Sequence, residues 1–193
     1  MAIFSLRELI LTPRAALRHI LDLNLPMSAR WQVFLIVAVA SALFSHLFLW
    51  LVGGTALMGA SLSPILTGAI QALLLLIVVG AVQLFGRAFG GTARFADTLL
   101  GVSVLQGVMV LAQCAQLLLY FALPVLGEVA GFAAVILFFW LLTNFVTELH
   151  GFRSRMRVFL GVIFAVFCVA SVLALLFGSL ATCLLYTSPS PRD

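Results

Sequence analysis

The chain has 193 residues, of which 64% are hydrophobic and 8% charged, against about one quarter charged in soluble globular domains. A soluble domain of this size leaves too much of its surface wet to hide so many apolar side chains, so the composition excludes a soluble fold and points to an integral membrane protein. The net charge of +4 is carried by arginine with no lysine, in short segments beside apolar runs rather than on one face with aromatic partners, which argues against nucleic acid as a partner.

Residues 1–30 read as amphipathic rather than spanning. Ser5 followed by Glu8 fits a capping box that starts a short helix through Leu11. Thr12-Pro13 fits a second start, with Thr12 as N-cap and Pro13 at the first helical position. From there Leu17, Ile20 and Leu21 share one face and Arg14 and Arg18 another. This pattern suits a helix lying in the headgroup region with its arginines on anionic lipid. It equally suits a solvated cap on the bundle. A secretory signal is disfavoured, because the apolar run begins far in and is too long.

Five apolar runs follow, each near the roughly 20 residues that cross the hydrocarbon core. They cover residues 31–52, 65–85, 98–123, 129–147 and 158–180. The first carries tryptophan near both ends, where aromatic rings favour the membrane interface. Gly53-Gly54 and Ser61-Leu62-Ser63-Pro64 bracket the first loop, and Pro124 with Gly127 makes a tight turn whose charge is Glu128. With the N-terminus inside, Arg7, Arg14, Arg18, Arg30, Arg87, Arg94, Arg153, Arg155 and Arg157 all fall on the inner side, and loops 53–64 and 124–128 hold no basic residue. The positive-inside rule then predicts an inner-membrane protein with a cytoplasmic N-terminus and an outer C-terminus. The expected fold class is all-α: a polytopic bundle of five transmembrane helices behind an N-terminal amphipathic interfacial helix. Residues 181–193 change composition abruptly and are expected to be a non-native or disordered tail. No fixed-period repeat is visible, and five spans do not divide into the two halves of an inverted-repeat transporter.

The segment Gly86-Arg87-Ala88-Phe89-Gly90-Gly91-Thr92-Ala93-Arg94-Phe95-Ala96-Asp97 organises the chain. Its glycine spacing is that of a phosphate loop, but Thr92 stands where the essential lysine must be and no strand precedes it. The glycines are better read as letting the chain turn and two helix ends approach. Phe89 and Phe95 would anchor the loop at the interface, Arg87 and Arg94 would meet lipid phosphates, and Asp97 would sit in the first turn of the next helix.

Inside the spans, Gln106, Gln113, Gln116 and Tyr120 line one face of the third helix. They read either as a substrate path or as hydrogen-bonding glue between helices, and glue is favoured. His46 is alone in the first helix and reads as a bonded interior histidine. Thr143, Asn144, Thr147, Glu148 and His150 crowd the end of the fourth helix; a carboxylate and an imidazole are too few for a closed metal site. Glu148 is expected to pair with Arg153, or with Arg87 or Arg94 across the two inner loops. Cys114 and Cys168 sit in apolar runs as small apolar residues. Gly161 and Ala165, then Ala170, Ala174 and Gly178, repeat every four residues and predict close helix packing, within the chain or in a homo-oligomer.

The run Phe85-Gly86-Arg87-Ala88-Phe89-Gly90-Gly91-Thr92-Ala93-Arg94-Phe95 resembles the glycine-rich loop of bacterial members of the Yip-domain family (Ypt/Rab-interacting proteins). Glu148-Leu149-His150-Gly151-Phe152 resembles their second inner loop, and Pro13-Arg14-Ala15-Ala16 and Leu25-Pro26-Met27 match as well. The resemblance implies five membrane helices with a cytoplasmic N-terminus. Eukaryotic relatives bind prenylated Rab-type GTPases; the chain lacks their Asp-Leu-Tyr-Gly-Pro motif and long N-terminal region, so the resemblance bears on the fold far more than on the function.

The function expected from the sequence is a non-enzymatic scaffold or adaptor, without catalytic residues, metal or cofactor. Its inner surface would be Arg87, Phe89, Gly90, Gly91, Arg94, Phe95, Glu148, His150, Arg153, Arg155 and Arg157, offered to a protein partner or to anionic headgroups. The alternative is a small-solute transporter or channel using the Gln106, Gln113, Gln116 face, and an in-membrane enzyme is a distant third.

Overall fold

The computed structural model describes residues 6–51 and 63–187, with side chains described through Leu175. Ser5, Val52, the Gly53–Leu62 loop and the last part of the tail lie outside the described residues. Among the described residues seven helices follow in order: α1 (Leu6–Leu11), α2 (Pro13–Asp22), α3 (Met27–Leu51), α4 (Pro64–Ala88), α5 (Phe95–Ala122), α6 (Pro124–His150) and α7 (Arg155–Thr187). The helices α3 to α7 are long and apolar enough to cross a membrane. This is a multi-pass membrane protein: large apolar side chains such as Leu118, Phe132, Ile136 and Phe167 are 70–73% exposed on the bundle's outside, where lipid replaces water.

Helix ends follow the local chemistry. Ser63 caps α4, its hydroxyl accepting from the Leu66 amide at 3.3 Å, and Pro64 fills the first helical position. Pro13 likewise starts α2, but Thr12 does not cap it; its hydroxyl donates back to the Glu8 carbonyl at 3.1 Å. Pro124 starts α6, so the turn expected over Pro124–Gly127 is the first turn of a helix. Gly127 has a packing role there, because a Cβ on it would strike Tyr120 of α5 at 2.6 Å. α7 continues beyond Leu180 to Thr187, so the expected tail begins as helix.

α5 is the central element. It packs against α3, α4 and α6 and touches α2, while α6 also meets α2, α4 and α7. One core joins Phe34 and Ala38 of α3 to Leu75 and Val79 of α4 and Leu99 and Val102 of α5. A second joins Leu105 and Val108 of α5 to Leu141 and Phe145 of α6 and Val158 and Val162 of α7. Leu17 of α2 belongs to this second core and is fully buried. The amphipathic N-terminal helix therefore lays its Ala16, Leu17 and Ile20 face on the bundle. Trp140 of α6 donates its indole N–H to the Ile10 carbonyl at 3.1 Å and ties the same segment down.

The amide face of α5 splits between two neighbours. Gln106 donates to the Ser41 hydroxyl of α3 at 2.8 Å, and Ser41 donates onward to the Val37 carbonyl at 2.8 Å. Gln116 faces α6, where a Cβ at Gly131 would meet its amide at 2.9 Å. Gln113 is half-buried between them, as is His46 on α3. Replacing Gln106 by leucine is expected to lower stability by about 0.6–2 kcal/mol, read as a lower unfolding midpoint in detergent micelles.

Candidate functional site

The site is the end of the bundle that carries the arginines. Both helix pairs there close in the same way. Gly90 adopts φ 86°, the Gly91 amide donates to the Gly86 carbonyl at 2.8 Å and the Gly90 amide to the Arg87 carbonyl at 2.9 Å. Gly151 adopts φ 69°, the Phe152 amide donates to the Thr147 carbonyl at 3.0 Å and the Gly151 amide to the Glu148 carbonyl at 3.4 Å. These are Schellman closures, which need a left-handed residue and so favour glycine. Phe85-Gly86 through Phe95 and Glu148 through Phe152 are thus two helix stops that face each other.

His150 joins them. Its ring is buried, stacks on Phe152 at 5.6 Å between centroids and 22° between planes, and fills the space above Gly86 and Gly91. A Cβ at either glycine would overlap the imidazole. The glycines do turn the chain, but two of them are also the floor of a histidine cradle. The loop is pinned from the other side as well. Gln83 donates to the Ala93 carbonyl at 2.9 Å, and the Thr98 hydroxyl donates to the Gln83 carbonyl oxygen at 2.7 Å.

Glu148 does not pair with Arg153, Arg87 or Arg94. Its carboxylate, with 9% of the side chain exposed, accepts from Arg14 Nε at 3.0 Å on one oxygen and from Arg18 Nε at 2.8 Å on the other. The cause is helical geometry. Glu148 and His150 are two residues apart, about 200° round an α-helix, so when His150 points at the glycine loop Glu148 points away from it, toward α2. The hydrogen bond from Arg18 and the nearby carboxylate charge raise the Arg18 pKa above its ordinary value. A third tie links α3 to α5: Arg30, 7% exposed, donates to Asp97 at 2.5 Å and through Nε to the Leu25 carbonyl at 2.9 Å. Asp97 does lie in the first turn of α5, and it has a buried partner besides the helix terminus.

The remaining polar residues on α6 are internal. Asn144 donates to the Trp140 carbonyl at 2.8 Å and Thr147 to the Thr143 carbonyl at 2.6 Å, each one turn back. Among the described residues no group of three histidines, cysteines or acids could hold a metal. Arg87, Arg94, Arg153, Arg155 and Arg157 are all exposed, and among the described residues the ion pairs of this end engage Arg14, Arg18 and Arg30 instead. Phe89 is 64% exposed, whereas Phe95 leans on Trp31 of α3 at 6.5 Å.

A family model for the Yip1 domain matches residues 7–185. The chain belongs to the Yip1-domain family. No curated protein and no solved structure matches it significantly. The Yip1 match reaches from α1 into the last helix, so the ties that build this end all lie within the family's domain. The residues that sequence reasoning left out of the Yip1-domain site are Arg14, Arg18, Arg30, Gln83, Asp97 and Thr98. The available signal was arithmetic: Arg14 and Arg18 one turn apart present two cations to one place, and few acids exist at this end to answer them.

Proposed function

We propose that this Yip1-domain protein is a non-enzymatic membrane scaffold whose arginine-bearing end docks a protein partner or anionic headgroups. The observation that carries the reading is the division of labour among the arginines. Arg14, Arg18 and Arg30 are bonded to Glu148 and Asp97 and hold the helix ends together. Arg87, Arg94, Arg153, Arg155 and Arg157 stand exposed on that fixed frame. A tied backbone frame spares the cost of ordering the loops on binding, and the exposed cations favour recognition of an anionic surface. In this reading the arginine-bearing end is cytoplasmic, with the N-terminus inside and the C-terminus outside an inner membrane; the absence of arginine from the sequence of loops 53–64 and 124–128 supports it. Of the two roles for the Gln face, the Gln106–Ser41 bond supports packing over solute passage.

The test is photo-crosslinking in native membranes from a reactive residue at Phe89. The expected result is a discrete protein adduct that disappears in Arg87→Gln/Arg94→Gln, or a headgroup adduct with the same dependence. Adducts that ignore both substitutions would overturn the docking role of this face.

A further inference from the structure

The last helix is poorly covered. Val158 and Val162 of α7 are buried, but from Ile163 to Leu175 no residue of α7 is. Where the small residues Gly161 and Ala165 predict close helix contact, there is space instead: a Cβ on Gly161 would meet nothing within 4 Å. Between α4, α6 and α7 lies a cleft of about 860 Å³, within the range of about 300–1,000 Å³ for sites that bury small ligands. Its walls are apolar from Leu173 up to Phe89, and its polar lining is gathered at one end, in Arg153, Ser154 and Arg157. Leu160 and Phe164 line the cleft and are still 59% and 55% exposed, so it opens sideways, toward the space that lipid occupies.

We infer that this cleft is a binding site for one anionic phospholipid of the surrounding leaflet, its phosphate on Arg153 and Arg157 and an acyl chain lying along α7. The length fits. From Arg157 to Leu173 the lining covers sixteen helical steps, about 24 Å, which exceeds the roughly 15 Å of hydrocarbon in one leaflet. The charge fits as well. Arg153 and Arg157 lie at the arginine-bearing end, where headgroups sit. The amino end of α7 adds positive potential there, and basic pockets between membrane helices hold anionic headgroups. A second copy of the chain fits less well, because Asp97 and Glu148, two of the acids at the arginine-bearing end, are already bonded inside the protomer. The inference goes beyond the docking face, since it assigns a site between helices for an acyl chain, which the exposed arginines alone do not require.

The experiment uses the full chain in nanodiscs. The probes are phosphatidylglycerol with a photoactivatable acyl chain and phosphatidylcholine with the same chain, and adducts are mapped by mass spectrometry. Phosphatidylglycerol is expected to label Val162, Ala165 and Val169 about tenfold more than phosphatidylcholine does, and Arg153→Gln/Arg157→Gln is expected to erase that excess. Labelling of the outer residues Leu118 and Ile136 should not change. Both arginines are exposed, so the double variant keeps the fold. Ala165→Trp should remove cleft adducts with either lipid. Equal labelling by the two lipids, insensitivity to the arginine substitutions, or cleft adducts formed to a second copy would each overturn the inference. Phe89 lines the upper end of the cleft, so the two readings are separated by their arginines: the docking adduct depends on Arg87 and Arg94, and the cleft labelling on Arg153 and Arg157.

Discussion

Asp97→Ala is expected to destabilise the fold by about 3 kcal/mol, the largest single effect at this end of the bundle. Arg30 is 7% exposed and cannot swing into water without leaving the α3–α5 seam. Removing its carboxylate leaves a nearly buried cation held by the Leu25 carbonyl alone. Breaking a fully buried pair costs about 3–5 kcal/mol; the Asp97 side chain is 29% exposed, which places this case at the low end. The control is Arg30→Met/Asp97→Ala. An apolar side chain of similar length suits the seam, so the double variant should recover most of the loss. Urea or thermal unfolding in detergent micelles reads both. A change within about 0.5 kcal/mol for Asp97→Ala, typical of an ordinary surface site, would show that the pair holds nothing together.

The second large effect has a sign that decides it. Gly86 lies in the last turn of α4, where alanine would ordinarily stabilise a helix by about 0.5–1 kcal/mol. Here the added methyl would enter the His150 ring, and overpacking of this kind costs about 1–3 kcal/mol. Gly86→Ala should therefore destabilise in the native sequence and stabilise in a His150→Ala background. The coupling between the two positions should exceed about 1 kcal/mol, as for residues in direct contact. Stabilisation by Gly86→Ala alone would refute the cradle. Gly91→Ala should behave as Gly86→Ala does in the native sequence, since its methyl would meet the same ring.

These two tests mark where sequence reasoning stops. The five long helices were legible because each is a run of apolar residues of membrane length, and the loops were legible from their glycines, prolines and arginines. The all-α fold and the Yip1 family follow from those signals, and the structure and the family match agree with both. The partners of Glu148 were not legible. Arg14 is 134 residues away, and nothing in local spacing connects them; Arg153 is nearer in sequence, and Arg87 and Arg94 lie in the facing loop, but Glu148 points toward α2. The glycines were assigned to turning and close approach, which Gly90 and its positive φ support. What they approach is one imidazole, and no property of a glycine names the side chain that will cover it. The small-residue stripe on α7 meets no helix of its own chain at Gly161. Spacing predicts that helices can come close there, but Gly161 faces open space, because a stripe permits contact without compelling it.

The Arg14–Glu148 tie also sets an order of events in biosynthesis. Arg14 of α2 leaves the ribosome well before Glu148, which lies 134 residues further along the chain. At about 5–20 residues per second, α2 waits on the order of ten seconds for the helix it will cover. During that interval its Ala16, Leu17 and Ile20 face has no protein to bury it, and the membrane surface is the available apolar solvent. An amphipathic helix suits both stages. It can rest among headgroups early, with Arg14 and Arg18 on lipid phosphate, and exchange that phosphate for the Glu148 carboxylate when α6 arrives.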